Sequence, residues 1–275
     1  MFGAASILFV PGARPERFAK AAASGADAIC IDLEDAVAAE DKDSARDAAL
    51  HALATLDPAR TAIRINGLRT AAGLRDLLAL RDAAIRPAHL FIPMVESPFE
   101  MDQARAILND AAAGLVPLVE TVAGLSAALA IAARPGVTAI MFGGGDFSAE
   151  LGVDLAWTPL LAARSQMVMA AAAANIAAID VPFIALDDAA GLADECGAAK
   201  ALGFAAKAAI HPAQVGAINA AFHADVEQIA AARRAIAAYD AAGGRAIRFE
   251  GRMLESPIIK RYQRLLLQEE RTKNA

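Results

Sequence analysis

Residues 138–146, TAIMFGGGD, contain the pattern that decides the fold of this chain. An unbroken apolar run, AIMF, is followed at once by three glycines and by Asp146. A near-continuous apolar run predicts a strand that is covered on both faces, as in a parallel sheet. The glycines and the acid predict a turn directly after it, for which a phosphate cradle, a metal site and a plain strand-to-helix turn are competing interpretations.

The same type of apolar segment recurs along the chain, with helix-forming stretches between the copies. These stretches carry helical spacing and good helix formers, and several of them end in Gly, as helices commonly do. We predict eight strands, within residues 6–12, 28–35, 61–67, 89–96, 115–121, 138–146, 178–188 and 204–212.

Eight strand–helix alternations favour a (β/α)8 TIM barrel over residues 1–220, with a doubly wound open sheet as the alternative. Polar residues gather at the carboxyl ends of the predicted strands. A barrel brings all of these ends into one bowl, whereas an open sheet would spread them along a row, so we prefer the barrel. Residues 221–275 are predicted to form a C-terminal helical extension that packs on the barrel or on a neighbouring subunit.

Two acids, Glu120 and Asp146, end the fifth and sixth predicted strands, which are neighbours in a barrel. Each acid alone is as well explained as the cap of the helix that follows its strand. Two carboxylates on adjacent strand ends can hold one hard cation, and Mg²⁺ usually takes only one or two carboxylates and keeps several waters. The sequence therefore predicts a magnesium site between these strands.

Arg64 lies near the end of an otherwise apolar strand, and a buried arginine needs a partner. Asp35 and Asp32 are the candidate partners, and the pair is either a structural ion pair or a site for a substrate carboxylate or carbonyl. Both interpretations hold together if Asp35 fixes one edge of the guanidinium while the other edge meets the ligand.

The remaining candidate residues carry weaker signals. The three glycines do not match a P-loop, because Asp146 stands where a Lys would be needed, and a tight turn is the simpler interpretation. His211 follows the last strand, although a single His is more often structural. Arg14 and Lys20, near the first strand, are a possible phosphate anchor, with a solvated helix face as the favoured alternative.

Composition excludes several classes of function. The 275 residues carry a formal net charge of −6 with scattered Lys and Arg, which argues against a nucleic-acid surface. No segment has the length and apolarity of a membrane span, and the N-terminus has no basic leader. Cys30 and Cys196 form neither a metal spacing nor a disulfide framework. We therefore expect a cytoplasmic protein.

Taken together, the motifs resemble those of the citrate lyase β-chain-like members of the HpcH/HpaI aldolase and citrate lyase superfamily. The resemblance runs almost from end to end, and its motifs are specific for the family but not for the substrate. They are LFVPGARPERFAKAAASGADAICIDLEDAV, IRIN, VESP, PLVETVAGL, FGGGDFSAELG, GFAAKAAIHPAQV and GRMLESPII.

The resemblance implies a (β/α)8 barrel that assembles as a homotrimer or a dimer of trimers, with Mg²⁺ bound by Glu120 and Asp146. It implies that Arg64 polarises a substrate oxygen with Asp35 beside it. It also implies that the glycine-rich backbone before Asp146 holds a carboxylate of the substrate. The substrate-binding residues predicted in this way are Gly144, Gly145, Asp146, Phe147, Arg14, Lys20 and His211.

Three positions differ from the family pattern. Glu255, in GRMLESP, stands where relatives have an Asp that is lent by a neighbouring subunit as the acid/base group. Glu can transfer the same proton, but its carboxylate lies one methylene further out. Met94 replaces a common Lys, and Ala206 replaces a common Gly.

The sequence therefore predicts a Mg²⁺-dependent carbon–carbon lyase that cleaves a hydroxyacyl-CoA thioester, of the citramalyl-CoA or malyl-CoA type, to acetyl-CoA and a 2-oxo acid. Arg64, Asp35 and Glu255 are the predicted catalytic residues. The alternatives are a citrate lyase β subunit acting on a citryl carrier protein, a malyl-CoA thioesterase, and a weakly active or non-catalytic binding subunit.

Overall fold

The structure, a computed structural model, describes residues 2–109 and 113–273. Eight parallel strands close into a barrel, which confirms the predicted (β/α)8 fold. The strands are shorter than the predicted segments, because most of the polar residues that end each segment lie in the following turn. They are β1 Ser6–Pro11, β2 Ala28–Asp32, β3 Thr61–Arg64, β4 His89–Ile92, β5 Gly114–Val119, β6 Ala139–Phe142, β7 Ala177–Asp180 and β8 Ala206–Ala209.

Closure of the barrel comes from β1, which pairs in parallel with both β2 and β8. Ile7 is opposite Ala28 on one side and opposite Ala208 on the other. Strands β5 and β6 are neighbours, with Leu118 opposite Met141. The adjacency on which the predicted metal site depends is therefore present.

Nine helices belong to the barrel in the part of the chain that the structure describes, and local capping explains several of their ends. One helix begins with Pro98 after a capping box formed by Ser97 and Glu100. Another ends at Leu202 and is followed by Gly203, its cap, in the left-handed conformation. The helices are α1 Phe18–Ala22, α2 Lys42–Ala52, α3 Ala71–Asp82, α4 Pro98–Ile107, α5 Val122–Ala132, α6 Gly144–Leu151, α7 Trp157–Ala174, α8 Ala189–Leu202 and α9 Val215–Phe222.

The core has two layers, which explains why the strands are apolar without alternation. In β4, Phe91 packs inside the barrel with Val116 and Ile179. Its neighbours Leu90 and Ile92 belong to the larger cluster between the sheet and the helices. Successive side chains of a strand point to opposite faces, so both faces must be apolar here.

The chain divides into two compact units, Met1–Phe222 and His223–Ala275. The second unit contains α10 Val226–Ala241, β9 Ile247–Phe249, β10 Arg252–Leu254 and α11 Ser256–Lys273, with β9 and β10 pairing as an antiparallel hairpin. Its small core is formed by Ala235, Leu254 and Ile259.

Helix α11 begins directly after Glu255. The backbone N–H of Ile259 donates to the carbonyl of Glu255, so Glu255 precedes the helix as its N-cap and Ser256 is the first helical residue. Whether this unit packs on its own barrel or on a neighbouring subunit stays a prediction.

Across residues 2–109 and 113–273, none of the helices has both the length and the apolarity that crossing a membrane requires.

Candidate active site

A cavity of about 430 Å³ opens among the carboxyl ends of the barrel strands. Its volume is in the range of small-molecule sites. The charged residues of its lining come from four different strand ends, which are far apart in sequence. They are Asp32, Asp35, Arg64, Glu120 and Asp146.

Glu120 follows β5 and is almost completely buried, at 5% exposure. Its Oε2 atom accepts a hydrogen bond of 2.7 Å from the backbone N–H of Met94. Asp146 lies in the first turn of α6 and is exposed to the cavity. The two predicted metal ligands therefore line one cavity from adjacent strands.

Burial, with a smaller contribution from the nearby charge of Asp146, raises the pKa of Glu120 to about 7, against the lowering effects of the Met94 N–H and of Arg64. A cation placed beside such a carboxylate stabilises its ionised form. Among the described residues, no group of three or more acidic, His or Cys side chains has the arrangement of a metal site. Two carboxylates beside an open cavity suit Mg²⁺, which retains waters and substrate oxygens as its other ligands.

The three glycines of the opening stretch have three different environments. A Cβ atom on Gly143 would overlap with the Glu120 carboxylate, so the absence of a side chain here makes the space in which Glu120 lies. A Cβ on Gly144 would lie 2.9 Å from Leu155 Cδ1, whereas a Cβ on Gly145 would meet nothing within 4 Å. Gly143 was missing from the predicted site, and no motif in the sequence identifies it.

Arg64 is held by Asp32 rather than mainly by Asp35. Its Nε and Nη2 atoms donate to the two carboxylate oxygens of Asp32, each at 2.7 Å. Asp35 is more distant and more exposed, with its Oδ2 atom 3.4 Å from Arg64 Nη1. Burial alone would lower the pKa of Arg64, but the hydrogen bonds and charge of Asp32 outweigh it and raise that pKa. Arg64 therefore stays charged, and Asp35 is a secondary partner.

Glu34 is a member of this cluster that the predicted site lacked. Its Oε2 atom lies 2.9 Å from Arg64 Nη1 but is buried without a hydrogen-bond partner. Burial raises its pKa to about 8, against the attraction of Arg64 and together with the charges of Glu120, Asp35 and Asp32. The available signal was the acid run at the end of the second strand, DLED (32–35).

Phe147 is a predicted substrate-binding residue whose side chain lies in the core, so its role in binding stays a prediction. Its side chain is only 2% exposed and packs in the core against Phe142, with ring centroids 5.4 Å apart. It is not among the residues that line the cavity. The helical spacing of α6 explains the result, because Gly144 and Phe147 lie on the buried face while Gly145 and Asp146 are exposed.

The rim residues Arg14, Lys20 and His211 lie outside the cavity lining. Arg14 pairs with Glu16 at 2.7 Å, and both side chains are exposed. Lys20 is exposed on α1. His211 caps the short helical turn Pro212–Gln214, where its Nδ1 atom accepts from the N–H of Ala213. Their contribution to substrate binding stays a prediction.

Met94 and Glu255 are two of the departures from the family pattern. Met94 has a positive φ of 56°, an uncommon conformation for a residue with a side chain, and its N–H holds Glu120. Arg69 Nη2 donates to the Met94 carbonyl at 2.8 Å. Glu255 is exposed in the second unit, and its catalytic role stays a prediction.

Named proteins of three kinds are similar to this chain. A citrate lyase subunit beta-like protein of Mycobacterium tuberculosis is 37% identical over 266 residues, covering 94% of this chain and 93% of that protein. Mitochondrial citramalyl-CoA lyase of Homo sapiens is 30% identical, covering 94% and 83%. A (3S)-malyl-CoA thioesterase of Cereibacter sphaeroides is 34% identical, covering 86% and 83%.

Solved structures show the same likeness. CitE of M. tuberculosis, in complex with magnesium, acetoacetate and coenzyme A, superimposes with a TM-score of 0.81 at 35% identity, covering 98% of each chain. RipC from Yersinia pestis has a TM-score of 0.73 at 38% identity, covering 82% of this chain and 97% of that one. Other M. tuberculosis structures contain magnesium with pyruvate or with oxaloacetate.

The prediction of a magnesium cofactor is confirmed by these magnesium complexes of homologous structures. Residues 5–212 match the family described as HpcH/HpaI aldolase/citrate lyase. With the fold, the cavity and these relatives in agreement, the chain belongs to the HpcH/HpaI aldolase/citrate lyase family.

Proposed function

We propose that this protein is a Mg²⁺-dependent carbon–carbon lyase that cleaves a hydroxyacyl-CoA thioester, of the citramalyl-CoA or malyl-CoA type, to acetyl-CoA and a 2-oxo acid. The observation that carries the proposal is the cavity in which Arg64 faces the carboxylates of Glu120 and Asp146. Relatives named as lyases for such thioesters support it.

The reaction breaks one carbon–carbon bond. The substrate hydroxyl loses its proton and becomes the keto group of the 2-oxo acid, while the bond's electron pair passes to the acetyl thioester as an enolate. The enolate carbon then takes up a proton. Magnesium, when bound by Glu120 and Asp146, supplies a Lewis acid that stabilises negative charge on the reacting oxygens.

Arg64 contributes the second positive charge. Its Nε and Nη2 atoms are occupied by Asp32, so the guanidinium is fixed in orientation before substrate binds. Nη1, which faces Glu34 and Asp35, and the second N–H of Nη2 remain to donate to a substrate oxygen. A preorganised cation of this kind stabilises charge that develops in the transition state without reorganisation.

Glu255, supplied by a neighbouring subunit of a homotrimer or dimer of trimers, is our candidate for the proton donor to the enolate. Arg14 and Lys20 are candidates for contacts with the anionic parts of coenzyme A. Both cysteines are free and buried, which fits the cytoplasmic location that we propose.

The test is to incubate the purified protein and Mg²⁺ with citramalyl-CoA and with malyl-CoA and to measure pyruvate and glyoxylate. We expect one of the two acids to be released, and chelation of magnesium to stop its release. If neither acid forms, the lyase assignment is wrong.

Glu255→Gln and Glu255→Asp test the proton donor. We expect the Gln variant to lose most of the rate and the Asp variant to retain it. An unchanged rate in the Gln variant would remove Glu255 from the mechanism.

A malyl-CoA thioesterase is the second candidate, favoured by the C. sphaeroides relative. It breaks the thioester instead of the carbon–carbon bond, so it releases free coenzyme A and malate. A thiol reagent in the malyl-CoA assay detects free coenzyme A and separates the two activities.

A further inference from the structure

The cavity has two chemically different sides. The strand ends of β2, β3, β5 and β6 contribute its charged residues, whereas another side of the lining carries only apolar residues. That side is formed by the connection between α6 and α7 and by the turns after β7 and β8. Its residues are Leu155, Val181, Pro182, Ile184 and Ile210.

Two of these residues lie against the turn that carries the candidate metal ligand. A Cβ on Gly144 would lie 2.9 Å from Leu155 Cδ1 and 3.3 Å from Val181 Cγ1, so both side chains pack on the backbone two residues before Asp146. We call this pair the Leu155–Val181 wall. Both residues of this wall line the same cavity as Glu120 and Asp146.

Buried hydrogen bonds fix the Val181 part of the wall. Val181 is 5% exposed, and its carbonyl accepts a 2.7 Å hydrogen bond from the buried Lys207 Nζ. Lys207 is itself fixed by Asp180, at 2.6 Å. The backbone at Val181 is therefore held in place by buried hydrogen bonds.

The charges of the lining disfavour a second carboxylate on the ligand. Arg64 is the sole cation among the described residues that line the cavity, and its guanidinium already faces Asp32, Glu34 and Asp35. One ligand carboxylate can be compensated by magnesium. A second one would meet either an apolar wall or further acids, and like charges placed together at a site are strongly unfavourable.

We propose that the Leu155–Val181 wall seats an alkyl group attached to the carbonyl carbon of the 2-oxo acid. The site then takes a monocarboxylic 2-oxo acid with a methyl or larger group in preference to glyoxylate and to a dicarboxylic 2-oxo acid. This inference rests on the proposed lyase function. The family leaves the choice open, because relatives have been solved with both pyruvate and oxaloacetate.

The experiment is calorimetric titration of the Mg²⁺-loaded protein with glyoxylate, pyruvate, 2-oxobutyrate and oxaloacetate. Each methyl or methylene group buried on the wall should strengthen binding roughly fourfold. Affinity is therefore expected to rise from glyoxylate to pyruvate to 2-oxobutyrate, and oxaloacetate should bind at least about tenfold more weakly than 2-oxobutyrate. Glyoxylate or oxaloacetate binding as tightly as pyruvate would overturn the inference, as would no binding of any of the four.

The Leu155→Ala variant tests whether the Leu155–Val181 wall causes the preference for pyruvate over glyoxylate. In this variant the preference for pyruvate over glyoxylate should shrink towards one, while glyoxylate binding persists. Leu151→Ala is the matched control, since Leu151 is an exposed leucine that does not line the cavity, and it should keep the wild-type preference. A preference that survives in Leu155→Ala contradicts the role of this residue.

The lyase assay distinguishes failure of the inference from failure of the proposed function. Cleavage of malyl-CoA together with the absence of any preference for pyruvate leaves the lyase intact and removes the wall's role. Failure to cleave either thioester removes the proposed function itself.

Discussion

Two buried arginines of the barrel, Arg64 and Arg164, have opposite electrostatic surroundings. Arg164 donates to Asp180 at 2.9 Å, and Lys207 bridges Asp180 at 2.6 Å and Glu195 at 2.7 Å. This cluster behind β7 and β8, which we call the closed tetrad, has two cations and two carboxylates. Its charges are balanced, and every member has a partner.

The Arg64 cluster is not balanced. Arg64 is the one cation among the charged residues of the cavity, against Asp32, Asp35, Glu120 and Asp146, with Glu34 beside it. Burial is the main cause of the raised pKa values of Glu34 and Glu120, and the charges of the neighbouring acids raise them to a smaller extent. A buried arginine is thus no sign of function by itself. The unmatched carboxylates around it are the functional signal, because they require a cation that the chain does not supply.

Glu120→Gln should cause the largest effect, because it removes a metal ligand from the unbalanced cluster. We expect the lyase rate to fall by about a thousandfold or more, since both the cation and its charge stabilisation are lost. Glu40→Gln is the control, as Glu40 is an exposed acid outside the cavity lining. Steady-state kinetics with a Mg²⁺ titration measures both, and equal rates for the two variants would argue against the metal site.

Lys207→Met should instead reduce stability, because it breaks the closed tetrad. Loss of one partner from a buried ion pair costs about 3–5 kcal/mol of unfolding free energy, since an uncompensated charge remains. Denaturant unfolding measures this change. The Lys207→Met and Asp180→Asn double variant should recover part of it, and a change below about 1 kcal/mol would show that the tetrad is not needed for stability.

Chain order and periodicity explain what could be predicted at these two sites. Apolar runs gave the eight strands, and the order of strands in a barrel placed Glu120 beside Asp146. The sequence could not show which of Asp32, Glu34 and Asp35 is the main partner of Arg64, because this depends on the direction of the turn after β2. The burial of the Phe147 side chain was not predictable for a similar reason, because it depends on where α6 begins after β6 and on which face of that helix is buried.

Gly143 could not have been recognised from the sequence, since its role is a close approach between two different strand ends. Gly143→Ala tests that role. The new methyl group must displace the Glu120 carboxylate, so Mg²⁺ affinity should fall roughly 10- to 100-fold, as for other changes that disturb the orientation of a metal ligand.

Gly145→Ala is the matched control for this substitution, because a Cβ there meets nothing within 4 Å. Neither glycine has a positive φ, so strain in the backbone does not complicate the comparison. Calorimetric titration with Mg²⁺ should separate the two variants clearly. Equal affinities would mean that Glu120 can rearrange or that it is not a ligand.

The pH dependence of magnesium binding should show the smallest effect. With its pKa at about 7 in the metal-free protein, Glu120 is mostly protonated at pH 6 and mostly ionised at pH 8. Because the metal binds only the ionised form, Mg²⁺ affinity should rise about tenfold between these values and level off above them. Glu34, with a pKa of about 8, is the other group that titrates here, so the measurement is repeated in Glu34→Gln. A tenfold rise that persists in this variant assigns the proton to Glu120. A flat profile in the wild-type protein would mean that Glu120 is already ionised at pH 6. The imbalance of charge at Arg64 would then be smaller than the structure indicates.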